Sequence, residues 1–369
     1  MRKQKERNSA LDIIRIFALL CVISVHFFLN NGFYSQPMAG KRMFIMTIMR
    51  TSFMVCVPLF ITLTGYLMNK KSLSKKYYFG IIKTIGIYIL ASIACIIFKY
   101  FYLNIDYSFI SAIKSILNFS AANYSWYIEM YIGLFLLIPF LNILYNNIPS
   151  KKDKKALIIT LLTLTSIPCI INIYNFNNFK WWINPSSSNV YDKIIPSWWT
   201  GIYPLTFYFI GCYLKDFKIT IKKELNILLI IVLATLSGAF NYYRSYGSTF
   251  ISGPYQDWGS ILNVILTSLV FILLLNINIS ETHNKLKKLL AKLSDLCLGG
   301  YLVSYIFDQI FYLKLNTLVP EMLNRLNYFI IIVPVIFICS ISLSYIINLI
   351  YKFISLLLSN IYKQYFNKL

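Results

Sequence analysis

Acidic charge is scarce in this chain of 369 residues: Asp and Glu together number 13, and all charged residues make up 13% of it. A soluble domain of this length runs nearer a quarter charged, so an ordinary water-soluble enzyme is excluded. Composition equally excludes disorder, collagen-like repeats and a disulfide scaffold. The seven cysteines, Cys21, Cys56, Cys95, Cys169, Cys212, Cys297 and Cys339, contain no CxxC pair, and each lies in an apolar run. They read as small hydrophobes within helices, and no metal site is expected. Internal repeats and low-complexity linkers are missing too.

What is abundant is apolar. Hydrophobic residues make up 58% of the chain, aromatics 17%, and the mean hydropathy is +0.63. A segment of about 20 apolar residues can cross a bilayer as a helix, and lipid tolerates no irregular backbone without internal partners. Ten such segments are expected, at about 9–29, 43–68, 79–102, 126–145, 156–174, 200–214, 225–242, 259–276, 296–313 and 329–350. The sixth is short. The fold class is therefore all-α, a polytopic membrane helical bundle forming one domain over 1–369, with no room for a second, water-soluble one. The first segment is not a cleaved signal peptide, because it carries Asp12 and Arg15 and no small-x-small site follows. The segment 353–369 alternates apolar and basic residues, as a short amphipathic tail on the inner membrane surface would.

Lys and Arg number 35, for a net charge of +22. Their placement is a topology signal. Segments around Arg7, Lys70–Lys76, Lys151–Lys155, Lys215–Lys223, Lys285–Lys292 and Lys352–Lys368 fall at alternate ends of the spans and hold most of the basic residues. The intervening loops hold few: Lys41, Arg42, Lys114, Lys180, Lys193, Arg244, Lys314 and Arg325. By the positive-inside rule both termini are cytoplasmic, in a multi-pass protein of the cytoplasmic membrane. The positive charge then calls for no nucleic-acid partner.

Ionisable groups inside spans are expensive and mark function by default. With this topology Asp12 and Arg15 lie at the inner end of the first span. His26, Arg50, Glu129 and Asp308 lie at similar depth near the outer side. Arg15 and His26 are eleven residues apart, hence only ~20° apart around the helix and ~16 Å along it. Such a face could line a passage from a cytoplasmic anion site to an imidazole near the other surface. A plainer reading also stands, in which Asp12 pairs with Arg15 at the headgroups and His26 is an interfacial structural residue.

Three stretches carry a family resemblance. The first is Leu11-Asp12-Ile13-Ile14-Arg15 followed by His26. The second is Arg50 leading through Val57-Pro58-Leu59-Phe60 to Thr64-Gly65-Tyr66-Leu67. The third is Trp126-Tyr127-Ile128-Glu129-Met130-Tyr131-Ile132-Gly133-Leu134 running to Pro139. Together they resemble the acyltransferase-3 family of integral membrane acyltransferases, which modify cell-surface glycans. Thr64 stands where the family commonly has Ser. The resemblance implies transfer of an acyl group, usually acetyl, from a cytoplasmic acyl-CoA (acetyl-CoA above all) to a hydroxyl of an extracytoplasmic polysaccharide or lipid-linked saccharide. In that chemistry Arg15, with Asp12 beside it, suits the anionic donor. His26 suits the general base that deprotonates the hydroxyl, or else an acyl-carrying nucleophile. Arg50 suits the oxyanion. Glu129 and Asp308 would orient the imidazole or bind sugar hydroxyls, with Trp126 and Tyr127 on the acceptor side.

All six tryptophans, Trp126, Trp181, Trp182, Trp198, Trp199 and Trp258, fall in or beside outer loops. The loop 175–199 is expected as a sugar-stacking lip. The competing function is a polysaccharide or small-molecule transporter or flippase, which should show inverted repeats and helices broken at the midplane. Pro58, Pro139, Pro168, Pro204 and Pro334 interrupt spans, but corresponding halves are not visible.

Overall fold

The computed structural model describes residues 7–188, 190–279 and 283–366, with side chains through residue 360. Arg2, Lys3, Lys5 and Lys368 of the charge pattern, and the end of the expected tail, lie outside the described residues. Among those described, the regular structure is helical. A lone parallel bridge, Met38 to Tyr246, ties two loops together.

α1 (Ser9–Asn30) starts where the Asn8 side chain accepts a hydrogen bond from the Ala10 N–H, a standard N-cap. α2 (Gly40–Phe53) and α3 (Cys56–Met68) make up the second span, parted at Met54–Val55. The cause is Pro58, which has no N–H to offer the Met54 carbonyl. That carbonyl accepts instead from Asn263 Nδ2 at 3.3 Å. α4 (Lys75–Phe79) leads into α5 (Ile82–Tyr102), and α6 (Phe109–Leu117) follows in a connecting loop. α7 (Trp126–Asn147) contains Pro139, and α8 (Lys151–Thr165) gives way to α9 (Pro168–Ile171) at Pro168. α10 (Phe179–Ile183) sits in the long Trp-rich loop before α11 (Tyr203–Asp216), α12 (Lys223–Ser245) and α13 (Ile261–Leu275). α14 (Asn284–Leu318), α15 (Met322–Arg325) and α16 (Phe329–Phe366) complete the chain, and α16 runs unbroken from the last expected span into the tail segment.

Nine helical segments among the described residues are long and apolar enough to cross a membrane, and they match nine of the ten expected spans. The tenth, 200–214, is α11. Its 14 residues rise only ~21 Å, short of a hydrocarbon core of ~30 Å. A short helix is tolerable there because protein rather than lipid surrounds it: Thr206 to Cys212 are all buried. α11 presses directly on α3 through two glycines. A Cβ on Gly65 would overlap the Tyr208 carbonyl, and one on Gly211 would overlap that of Thr62. Gly65 of the Thr64–Leu67 stretch is thus a packing requirement.

The basic segments share one end of the bundle. Arg7 meets Asp295 at 2.9 Å, Lys70 meets Asn146 at 2.6 Å, and Lys154 meets Asp216 at 3.0 Å. Large apolar side chains such as Ile97, Ile231, Ile330 and Ile338 face outward, as a lipid-facing surface requires. α1 is enclosed by α2, α3, α13, α14 and α16, so its polar residues face protein.

Candidate active site between α1 and α14

α1 and α14 run side by side in the same direction, and two polar contacts fix their register. Near the basic end, Arg15 Nη1 donates to Ser294 Oγ. Farther along, His26 Nδ1 lies 3.0 Å from Asp308 Oδ2. Ser294, Tyr301 and Asp308 recur every seven residues on α14, a spacing that drifts only ~20° per repeat. They therefore share one face, as Arg15, Val22 and His26 do on α1. A cavity of about 250 Å³ opens along this seam, lined among others by Arg15, Val22, Phe60, Thr64, Tyr127 and Tyr301. That volume lies below the ~300–1,000 Å³ of a typical small-molecule pocket, so it admits a slender chain rather than a nucleotide.

At the Arg15 end the expected Asp12–Arg15 ion pair is present but long, at 3.8 Å. Arg7 holds the Asp12 carboxylate more closely, through Nε at 2.9 Å and Nη2 at 2.6 Å, and continues to Asp295. The planar fork of arginine explains the preference, since two parallel bonds outcompete one long contact. Hydrogen bonds from Arg7 to Asp12 and then to Asp295 hold its proton more firmly than usual. Arg15 has the neutral Ser294 hydroxyl as its close partner, and 28% of its side chain is exposed.

The other end is tighter. Asp308 is fully buried, and its Oδ2 also accepts from the Tyr124 hydroxyl at 2.8 Å. The Tyr124 ring lies on the imidazole with centroids 3.7 Å apart. Burial, and then the Asp308 carboxylate, push the Tyr124 hydroxyl well above the usual tyrosine range, so it remains a neutral donor. The His26–Asp308 contact is close but poorly aligned for a hydrogen bond, and Nδ1 and Asp308 Oδ1 have no aligned partner. Nδ1 thus faces the carboxylate, and Nε2 is the nitrogen left for a substrate.

Arg50 is not part of this cluster. Its Nε donates to Tyr34 at 2.9 Å, and its guanidinium lies over the Phe250 ring at 4.9 Å. Its Nη1 is buried without a partner, an unsatisfied donor. Glu129 stands on an exposed face of α7, whereas its neighbours Tyr127 and Ile128 take the inward positions. Of the four ionisable groups expected at one depth, the structure joins His26 and Asp308 alone.

Trp126 and Tyr127 part company although adjacent. Tyr127 lines the seam cavity, whereas Trp126 stacks on Trp258 at 4.6 Å in a second, larger cavity of about 790 Å³. Tyr191, Asp192, Lys193 and Ser197 of the Trp-rich loop line that second cavity. The loop's own tryptophans do not. Trp181 is buried against Tyr174 and Arg244, and only Trp182, Trp198 and Trp199 are exposed. Among the described residues no three His, Cys, Asp or Glu side chains cluster as a metal site would need, and all seven cysteines are free thiols.

A family model described as an acyltransferase domain, that of the acyltransferase-3 type, matches residues 8–348. The chain belongs to the acyltransferase-3 family. No curated protein and no solved structure matches it. It is thus a multi-pass membrane acyltransferase, and the match covers both helices of the seam. Two residues of the acyltransferase's candidate site escaped the sequence. Tyr124 lies in a loop ahead of α7, where no periodicity points to it. Ser294 was legible in principle, because it stands fourteen residues before Asp308, at twice the seven-residue repeat.

Proposed function

We propose that the acyltransferase moves an acyl group, acetyl above others, from a cytoplasmic acyl-CoA to a hydroxyl of an extracytoplasmic surface glycan or lipid-linked saccharide. The observation that carries this reading is the pairing of Arg15 with Ser294 and of His26 with Asp308 at two ends of one helix seam, with a narrow cavity lined by Arg15 and, one turn short of His26, by Val22. The charge pattern supports a cytoplasmic position for the basic end and both termini. The whole chain then acts as one transferase unit in the cytoplasmic membrane.

Arg15, partly exposed and with its nearest carboxylate at 3.8 Å, suits a phosphate of the donor. The thin thioester arm enters the seam cavity, and the acyl carbon reaches His26 some ~16 Å farther on. His26 Nε2 takes the proton of the acceptor hydroxyl as its oxygen attacks the thioester carbonyl. The C–S bond then breaks, and the thiolate leaves to be protonated by the imidazolium. Asp308 stabilises that imidazolium at 3.0 Å, and Tyr124 holds the carboxylate in place. Arg50 contacts Tyr34 and Phe250 rather than the His26–Asp308 pair, so its unpartnered Nη1 is assigned to an oxygen of the bound substrate. The large cavity beside Trp126 suits a saccharide, with a stacked aromatic wall and polar side chains.

The test is a thioester-release assay on purified protein with acetyl-CoA and surface glycans. Thiol release that rises with glycan, together with acetylated glycan by mass spectrometry, is the expected outcome. Glycan flux without donor consumption would favour a transporter and end this reading.

A further inference from the structure

We propose that Lys99 is a positioning residue for His26, acting through the loop 118–125; the idea rests on the reading of His26 as the base. Lys99 sits inside α5, is only 6% exposed, and has no carboxylate partner among the described residues. A buried ammonium without a counter-ion is expensive, and an apolar chain would fill the same space at lower cost. Its three donors all go to one loop. Nζ donates to the Ala121 carbonyl at 2.9 Å and Asn123 Oδ1 at 2.8 Å, and reaches the Ser120 carbonyl at 3.5 Å. It also stands 5.1 Å from the centre of the Tyr305 ring on α14.

The next residue of that loop is Tyr124, which caps the His26 ring and donates to Asp308. Its backbone carbonyl accepts from the Tyr301 hydroxyl, so α14 holds it on one side and Lys99 on the other. Phe119, in the same loop, has φ 58°, a left-handed conformation unfavourable for a bulky residue. Strain of that kind persists only where surrounding contacts over-determine it. Without Lys99 the loop relaxes, Tyr124 leaves the carboxylate, and the imidazole loses its fixed orientation.

The experiment uses full-length protein in lipid nanodiscs carrying Lys99→Met, Lys99→Arg, Tyr124→Phe and the double variant Lys99→Met/Tyr124→Phe. Two quantities are read: transfer kinetics, and the rate at which diethyl pyrocarbonate modifies His26, followed by peptide mass spectrometry. For Lys99→Met, kcat should fall about tenfold to 10²-fold with donor KM within about twofold, as misplacement of a reacting group costs. His26 should be modified faster. Lys99→Arg, which keeps the charge and donors, should recover part of both. The double variant should lose little beyond Tyr124→Phe alone, because the two act on one contact. Unchanged His26 modification in inserted Lys99→Met, or losses that multiply independently, would overturn the proposal. Should Lys99→Met fail to insert, Asn123→Ala removes one acceptor at an exposed site, and an unaltered His26 modification rate there overturns it equally. The modification needs no substrate, so it stands apart from the transferase reading, which fails separately if His26→Ala keeps its turnover.

Discussion

The two ends of the α1–α14 seam use different physics. At the Arg15 end a cation keeps 28% of its side chain exposed and bonds a neutral hydroxyl, while Arg7 occupies the nearby carboxylate. At the His26 end an imidazole with 10% of its side chain exposed meets a fully buried carboxylate that also holds a tyrosine. An exposed cation exchanges water for a charged ligand at modest cost, whereas charges in a low-dielectric interior interact strongly and tolerate little displacement. On the proposed reading, the open end binds the donor and the closed end carries the chemistry. The single helix α1 serves both because eleven residues return its side chains to nearly the same face.

Four substitutions break or sharpen that contrast. His26→Ala should have the largest effect, lowering kcat by ~10²–10⁴-fold with donor KM little changed, since a general base acts in the transition state. Asp308→Asn belongs in the same experiment, and purified, folded variants with normal turnover would return both residues to a packing role. Next comes Arg15→Ala, which should raise donor KM by roughly 10- to 150-fold, the equivalent of about 1.5–3 kcal/mol for a charge-assisted contact. A dephosphorylated donor should shrink that difference, and an unaltered KM would remove the phosphate from Arg15. The smallest effect is expected from Arg7→Ala. Freed from Arg7, Asp12 should draw in Arg15 and raise donor KM about two- to fivefold, the scale of a partly exposed ion pair. A decrease in KM instead would mean that Asp12 does not compete for Arg15.

Much of this arrangement was legible in the sequence. Length and hydropathy marked the spans, and the alternation of lysines matched the end where Arg7, Lys70 and Lys154 now meet Asp295, Asn146 and Asp216. The eleven-residue spacing from Arg15 to His26 fixed their common face before any partner was known. Depth alone, however, does not determine direction around a helix. It grouped Glu129 and Arg50 with His26, whereas Glu129 turns to an exposed face and Arg50 turns to Tyr34 and Phe250. Local competition was equally hidden: Asp12 and Arg15 look like a pair at three residues' separation until the fork of Arg7, five residues before Asp12, is in place. Trp181 reads as a sugar platform by composition, but Tyr174 and Arg244 bury it. Loop residues such as Tyr124 carry no period at all, and only the fold brings them to the site.

The central claim is that donor and acceptor enter the seam from opposite ends. Sided proteoliposomes test it most directly, with orientation fixed by protease access to a tag at the N-terminus. Labelled acyl-CoA is supplied on one face and the glycan acceptor on the other. Acylated glycan should form when the donor shares the face of the N-terminus and the acceptor lies opposite, and not in the reverse arrangement. Equal transfer with both substrates confined to one face of sealed vesicles would contradict the two-ended seam.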